Sequence, residues 1–104
     1  MKRIIEGKTY NTETADLIAS NSANCPRSDF QFFDEDLYRT KKGAWFLCGE
    51  GGASTQWAAK INGGYQNGSG IKVLTEEDAL AWLENIDSQR DEIETYFGHL
   101  ITEA

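Results

Sequence analysis

The sequence predicts an α+β fold in which a small antiparallel β-sheet of about four or five strands carries a pair of acidic C-terminal helices on one face. Up to residue 75, segments rich in aromatic and β-branched residues alternate with glycine-rich turns, which is typical of short antiparallel strands. After residue 75, apolar residues recur every three or four positions, as they do in amphipathic helices. Residues 1–104 are therefore expected to form one domain with a modest core.

The N-terminal part of the chain predicts a short β-hairpin followed by a short helix. The hairpin spans residues 4–10, and its turn contains Gly7, which adopts positive φ without a steric penalty. A helix is expected from residue 12 to residue 20, capped by Asn11 or Thr12. The side chains that share one face of this helix are Thr14, Leu17 and Ile18. A loop of small polar residues is expected to follow.

A second β-hairpin is predicted to form the centre of the sheet. Its strands are residues 30–40 and 44–49, which flank a turn that contains Lys41 and Lys42. Alternation along the strands places four apolar side chains on one face, namely Phe30, Phe32, Trp45 and Leu47. Arg39 is expected to join the two lysines in the main basic cluster, at the tip of the hairpin. Three basic residues are few for a protein with a net charge of −7, so no direct contact with nucleic acid is expected.

Three consecutive carboxylates, Asp34, Glu35 and Asp36, lie in the first strand of this hairpin. Neighbouring residues of a strand point to opposite faces of the sheet, so the three groups do not converge on one substrate as general acid–base chemistry requires. We interpret all three as part of a solvated strand edge.

The segment Gly49-Glu50-Gly51-Gly52 is predicted to end the second hairpin strand in a tight turn. It lies between a strand and a short helical turn expected around Trp57, which is a setting where backbone amides can bind a phosphate. The segment lacks the lysine of a Walker loop and the Gly-x-Gly-x-x-Gly order of a dinucleotide fold, and Glu50 would repel an anion. A small ligand-binding or enzymatic site built from this segment is the alternative functional hypothesis; its residues are Gly49, Glu50, Gly51 and Gly52.

The C-terminal part predicts one more strand and two capped helices. Residues 62–70 are expected to form a surface loop, and residues 71–74 the last strand. Thr75 is a suitable N-cap for the first helix, and Ser88 for the second. Apolar residues form one face of each helix: Ala79, Leu80, Trp82, Leu83 and Ile86 in the first, and Ile93, Phe97, Leu100 and Ile101 in the second.

The negative charge of the protein is concentrated in these helices. Residues 76–104 contain nine acidic residues and one basic residue, Arg90, a net charge of −8. Residues 1–75 have a net charge of +1. An outward helix face with so few cations predicts a surface that binds a partner. The carboxylates expected to contact that partner are Glu77, Glu84, Asp87, Asp91 and Glu94.

Several other classes of site are not expected. The apolar run at residues 44–48 is far too short to cross a bilayer, and the N-terminus lacks the apolar region of a signal peptide, so a cytoplasmic protein is predicted. Cys25 and Cys48 lack metal-ligand spacing and are expected to be reduced thiols, although the sequence leaves a disulfide between them open. His99 is the only histidine and is expected at a helix end. We expect no metal site, no cofactor and no catalytic residues.

Four motifs carry a resemblance to a known group of proteins. They are IEGKTYNTETA at residues 5–15, LYRTKKGAWFL at 37–47, GEGG at 49–52 and LTEEDALAW at 74–82. Together they resemble small bacterial proteins carried by phages and other mobile elements, a group that implies no catalytic residues. In size, acidity and context, such proteins are similar to anti-CRISPR and anti-restriction inhibitors, some of which mimic the charge of DNA.

The leading functional expectation is therefore a non-enzymatic acidic binding protein. By analogy with those inhibitors, its partner is expected to be a protein with a basic surface, such as the nucleic-acid-binding groove of a CRISPR effector complex. The sequence does not determine its oligomeric state.

Overall fold

The computed structural model describes residues 1–86 and 90–104, and the side chain of Arg90 is outside this description. The chain has an α+β fold, as the sequence predicts. Its elements in chain order are β1 (Lys2–Ile5), β2 (Lys8–Asn11), β3 (Asp16–Ser22), β4 (Phe33–Arg39), β5 (Trp45–Gly51), β6 (Ala59–Ile61), β7 (Gly64–Gln66), β8 (Gly68–Leu74), α1 (Glu76–Glu84), α2 (Arg90–Phe97) and a short 3₁₀ helix (Gly98–Leu100).

The main sheet is antiparallel and has four strands in the order β3-β4-β5-β8. The predicted hairpin of β4 and β5 is confirmed and lies at its centre. In its turn, Gly43 has a φ of 91° and donates its backbone N–H to the carbonyl oxygen of Thr40. One row of cross-strand neighbours, Asn21, Glu35, Gly49 and Gly70, matters for the sites described below.

The first face of the main sheet packs against both C-terminal helices. Leu37 and Leu47 from the sheet meet Leu83 of α1 and Phe97 of α2, and all four side chains are at most 2% exposed. The Trp45 ring lies 4.8 Å from the ring of Phe97, centroid to centroid. The predicted packing of the helix pair on one face of the sheet is therefore confirmed, and burial of these apolar side chains is the main force that holds it.

The second face of the main sheet is partly covered by the β1–β2 hairpin. Phe46 points to this side and is fully buried. Its ring lies edge-on to Tyr10 of β2, with centroids 5.6 Å apart, and stacks on Tyr38 at 5.3 Å. The N-terminal hairpin with its turn at Gly7 is confirmed, and it covers this small aromatic cluster.

The helix predicted from residue 12 to residue 20 is wrong, because this segment forms a turn and then strand β3. The carbonyl oxygen of Asn11 accepts the backbone N–H groups of Thr14 and Ala15, and its side chain accepts that of Glu13. The segment after this turn pairs with β4, with a bulge between Leu17 and Ala19. The spacing of Thr14, Leu17 and Ile18 fits a helix and a bulged strand equally well. Pairing with β4 decides in favour of the strand.

The predicted register of the first hairpin strand is also wrong. Phe30 lies in a turn before β4 and is 70% exposed, and Phe32 lies outside the strand. The residues of β4 that face the helices are instead Phe33, Glu35 and Leu37. A shift by one residue moves every side chain of a strand to the other face, so alternation alone left two solutions.

The segment from Gly49 to Gly70 differs most from the prediction. Strand β5 continues to Gly51 instead of turning at Gly49, and β8 begins at Gly68. The expected helical turn around Trp57 is a series of non-helical turns. The loop expected at residues 62–70 contains strand β7, which pairs with β6 directly before the loop, and the first residues of β8. A Cβ atom on Gly49 would overlap the Trp57 ring, and one on Gly68 would overlap the Trp57 backbone carbonyl. These glycines let the segment that carries Trp57 lie directly on the sheet.

The first C-terminal helix begins as predicted. The Thr75 hydroxyl oxygen accepts the backbone N–H of Asp78 at 3.1 Å, which confirms the N-cap. The cap predicted at Ser88 lies outside the described residues. His99 lies in the 3₁₀ helix that follows α2, close to its expected helix-end position. No helix in the described part of the chain is both long and apolar enough to span a lipid bilayer.

Candidate functional site

Four of the five carboxylates predicted to bind a partner are exposed on the C-terminal helices. Glu77 and Glu84 are two turns apart on α1, opposite the buried side of that helix, and both are exposed. Asp91 and Glu94 are one turn apart on α2 and are also exposed. We call these four residues the acidic helix surface. Asp87, the fifth residue, lies outside the described part of the chain.

The helices that carry the acidic helix surface are packed against the core. Ala79 and Leu83 on the inner side of α1 are completely buried, as is Phe97 at the end of α2. Glu76, next to the surface, lies within hydrogen-bonding distance of His99, with 2.8 Å between Oε2 and Nε2. This contact ties the start of α1 to the 3₁₀ helix. The carboxylates are therefore displayed by a packed element rather than by a trailing segment.

The glycine-rich segment of the alternative hypothesis borders a shallow cavity of about 270 Å³. Besides Glu50, Gly51 and Gly52, the cavity is lined by Arg27, Phe32, Asn67, Gly68 and Ser69. Arg27 forms an ion pair with Glu50, and its guanidinium carbon lies 5.1 Å from the centre of the Phe32 ring. Gly49 does not line this cavity, because it lies under Trp57 on the other face of the sheet.

The backbone of this segment is not arranged to bind a phosphate. Gly49 and Gly51 belong to β5, which pairs with β4 on one side and β8 on the other. Gly52 donates its backbone N–H to the carbonyl oxygen of Phe32 at 2.8 Å. The amides are therefore used within the sheet, and what remains for a ligand is the set of polar side chains around the cavity.

Glu35 forms a buried polar centre that the sequence does not reveal. Its side chain is 7% exposed and lies between the main sheet and α1. Oε2 accepts hydrogen bonds from Trp57 Nε1 and Gln56 Nε2, both at 2.7 Å. Oε1 accepts one from Trp82 Nε1 at 2.9 Å. Lys72 in turn donates to the Gln56 side-chain oxygen at 3.1 Å, so a cation lies one residue away from the carboxylate.

The interpretation of Asp34, Glu35 and Asp36 as one solvated edge is wrong for Glu35. Asp34 and Asp36 do face the other side of the sheet, where they accept hydrogen bonds from Ser22 and Ser20 at 2.7 and 2.6 Å. Glu35 faces the helices, and both of its oxygens are occupied by N–H donors. Three N–H donors and burial hold the carboxylate between the sheet and α1, so we assign it a structural role.

The basic cluster predicted at the hairpin tip is divided between the two faces. The Arg39 guanidinium carbon lies over the rings of Trp45 and Tyr96, at 5.6 and 5.5 Å from their centres. Lys41 pairs with Asp16 at 2.7 Å. Lys8 of β2, and not Arg39, lines the same cavity as Lys41 and Lys42. The sequence carries no local signal for this, because Lys8 is more than 30 residues from them.

The remaining groups with possible site chemistry are the metal-ligating side chains and the two cysteine thiols. Within residues 1–86 and 90–104, no group of three or more histidine, cysteine or carboxylate side chains is arranged to hold a metal ion. Cys25 and Cys48 are both half-buried free thiols, and the Cys48 sulfur lies 3.9 Å from that of Met1. Burial raises the pKa of the Cys48 thiol; the N-terminal ammonium opposes this shift, and Asp36 and Glu50 add to it.

Comparison of the chain with protein-family models, with curated proteins and with solved structures gives no match. The resemblance to phage-borne proteins described above therefore remains a prediction.

Proposed function

We propose that this protein is a non-enzymatic binding protein whose acidic helix surface binds a basic surface of a protein partner. The observation that supports this proposal is the exposure of Glu77, Glu84, Asp91 and Glu94 on helices whose opposite sides are buried in the core. Carboxylates fixed in this way can meet lysines and arginines without first losing the conformational entropy of a flexible tail.

The kind of partner follows from the charge. Residues 76–104 carry a net charge of −8, of which −6 lies on the two short helices. A groove that normally binds nucleic-acid backbone offers the complementary array of cations. We propose such a groove in a bacterial nucleic-acid-targeting complex, with CRISPR effector complexes as the first candidates in line with the resemblance noted above.

Binding to purified CRISPR effector complexes at low and high salt tests this proposal. The variant E77Q/E84Q/D91N removes three carboxylates from the acidic helix surface without changing side-chain size. We expect it to bind at least about ten-fold more weakly than the original protein, because several charge-assisted contacts are lost together. Binding by the original protein is expected to weaken steeply between about 50 and 500 mM salt.

A matched control changes the same number of charges elsewhere. Glu6, Glu13 and Glu103 are exposed and lie outside α1 and α2. The variant E6Q/E13Q/E103Q alters the net charge equally and is expected to keep its affinity within about two-fold. Equal weakening by both variants would show a general charge effect and would contradict a specific acidic surface. Absence of binding to every complex at low salt would contradict the proposed partner.

A second candidate function rests on the cavity beside Glu50. The Arg27–Glu50 pair places both a donor and an acceptor at its rim, a combination suited to a small polar ligand. A thermal-shift screen with small polar metabolites tests it, because a ligand that binds only the folded state raises Tm. A stabilising compound should lose its effect in the variant R27A and keep it in R3A, which removes an exposed arginine outside the cavity.

A further inference from the structure

A cleft with three lysines lies between the β1–β2 hairpin and the turn that joins β4 to β5. Its volume is about 520 Å³, within the range of pockets that hold small molecules. One wall comes from Gly7, Lys8, Thr9 and Tyr10, and the other from Thr40, Lys41, Lys42 and Ala44, with Thr14 between them. Two segments far apart in the chain thus bring their cations to one place.

In the part of the chain that the structure describes, two of the three lysines have no carboxylate partner. Lys41 forms an ion pair with Asp16, at 2.7 Å between Nζ and Oδ1. Within the described residues, neither Lys8 nor Lys42 takes part in an ion pair or a side-chain hydrogen bond. Both residues line the cleft, so an anion bound there would be attracted to both ammonium groups.

The floor and rim of the cleft are fixed by other contacts. Tyr10 is 5% exposed and packs edge-on against Phe46, so the β2 wall is anchored to the sheet. The Thr40 hydroxyl oxygen accepts the Ala44 backbone N–H at 2.9 Å, which leaves its own proton free to donate to a ligand. The cleft therefore offers two exposed lysine side chains and a hydroxyl donor beside an anchored strand, which suits an oxyanion.

The number of cations favours a small anion over a nucleic-acid strand. A strand is held by many phosphate contacts along an extended basic surface, whereas this chain has a net charge of −7 and only three lysines line the cleft. Two unpaired lysines match the charge of one or two phosphate groups.

We propose that this cleft binds a small phosphorylated molecule, with Lys8 and Lys42 contacting its phosphate groups and Thr40 donating a hydrogen bond to them. The site is separate from the acidic helix surface and does not depend on the function proposed for that surface.

Isothermal titration with inorganic pyrophosphate, ADP and a single-stranded dT20 oligonucleotide tests the inference. For the full chain at about 50 mM salt, we expect saturable one-to-one binding of pyrophosphate or ADP, with a Kd on the order of 0.1 to 1 mM. The variant K8Q/K42Q should bind at least about ten-fold more weakly, because it removes two charge-assisted contacts. The control K2Q/K60Q removes two exposed lysines that do not line the cleft and should change the affinity less than about two-fold.

Three results would overturn the proposal. The first is the absence of saturable binding of pyrophosphate and ADP at about 10 mM. The second is equal weakening in K8Q/K42Q and K2Q/K60Q, which would show nonspecific attraction of anions. The third is tighter binding of dT20 than of either small anion, which would identify a nucleic-acid surface instead. Unfolding curves of each variant show whether the fold is retained.

Discussion

The carboxylates of strand β4 lie in different environments on the two faces of the main sheet. On the helix side, Glu35 is 7% exposed and accepts hydrogen bonds from two tryptophans and a glutamine. On the hairpin side, Asp34 and Asp36 are half-buried, and each accepts one hydrogen bond from an exposed serine. Neighbours in sequence thus occupy sites of opposite character.

The difference shows how burial sets the role of a carboxylate. A buried carboxylate must have its lost hydration replaced by donors, and Glu35 receives them from residues that also close the core. Trp57 comes from the loop after β5 and Trp82 from α1, so one side chain joins three parts of the fold. Asp34 and Asp36 keep contact with water, and their loss leaves little behind unsatisfied. Four predictions test or extend this contrast.

The largest effect is expected from Glu35→Gln. The NH₂ group of the new glutamine would face one of the N–H donors that now bond to a Glu35 oxygen. The negative charge that strengthens all three hydrogen bonds would also be lost. We expect a loss of about 3 kcal/mol in the free energy of unfolding. Urea denaturation followed by tryptophan fluorescence measures it. The neighbouring change Asp36→Asn on the hairpin face keeps an acceptor oxygen for Ser20 and should lose less than about 1 kcal/mol; equal losses would remove the contrast.

The next effect concerns the glycine beside Glu35 in the sheet register. Gly49 pairs with Glu35 on one side and Gly70 on the other, and the Trp57 ring lies on it. Gly49→Ala should lose about 1 to 3 kcal/mol, because its methyl group would displace the ring that donates to Glu35. Gly70→Ala is the matched control, since an added Cβ there meets no atom within 4 Å. Similar unfolding midpoints for the two variants would contradict this role of Gly49.

A smaller effect is expected in the chemistry of the hairpin face. Because the pKa of Cys48 is raised, mainly by burial, its thiolate is scarcer at pH 8 than in the unfolded chain. In a Cys25→Ser background, alkylation by iodoacetamide should be slower for the native protein than for the protein in urea. Adding Asp36→Asn removes one of the carboxylates that raise this pKa and should speed the native reaction. A native rate equal to the unfolded rate would contradict the assignment.

The smallest effect on stability is expected from Asp16→Asn. The side chains of Asp16 and Lys41 are 57% and 70% exposed, so water screens their ion pair. The variant should change the free energy of unfolding by less than about 0.5 kcal/mol. It also releases Lys41 into the lysine cleft, so pyrophosphate should bind more tightly to this variant than to the original protein. Unchanged or weaker binding would show that Lys41 does not contact the bound anion.

The sequence predicted those parts of the fold that depend on local pattern. The β4–β5 hairpin, the turn at Gly7, the Thr75 cap and the packing of the helix pair each follow from a turn residue, a capping residue or a repeated apolar spacing. The short segment at residues 16–22 carried too few apolar residues to separate a helix from a strand. The one-residue shift in β4 was equally open, because alternation fits either face.

The candidate sites divide in the same manner. Exposure of the acidic helix surface follows from the apolar pattern of α1 and α2, because residues opposite a buried stripe face water. The sequence shows the glycines at residues 49–52 but does not show why glycine is required there. A glycine that admits an aromatic ring onto a strand has the same sequence signature as one that makes a turn.

The sequence by itself therefore determined the fold class, the Thr75 cap of the first acidic helix and the side of each helix that carries charge, because these depend on contacts within a few residues. Only the tertiary structure decided that Glu35 is buried between Trp57 and Trp82, and that Lys8 joins Lys41 and Lys42. Both groupings bring together residues more than 20 positions apart in the chain. Their chemistry depends on strand register and on which hairpin covers which face, and neither is encoded locally.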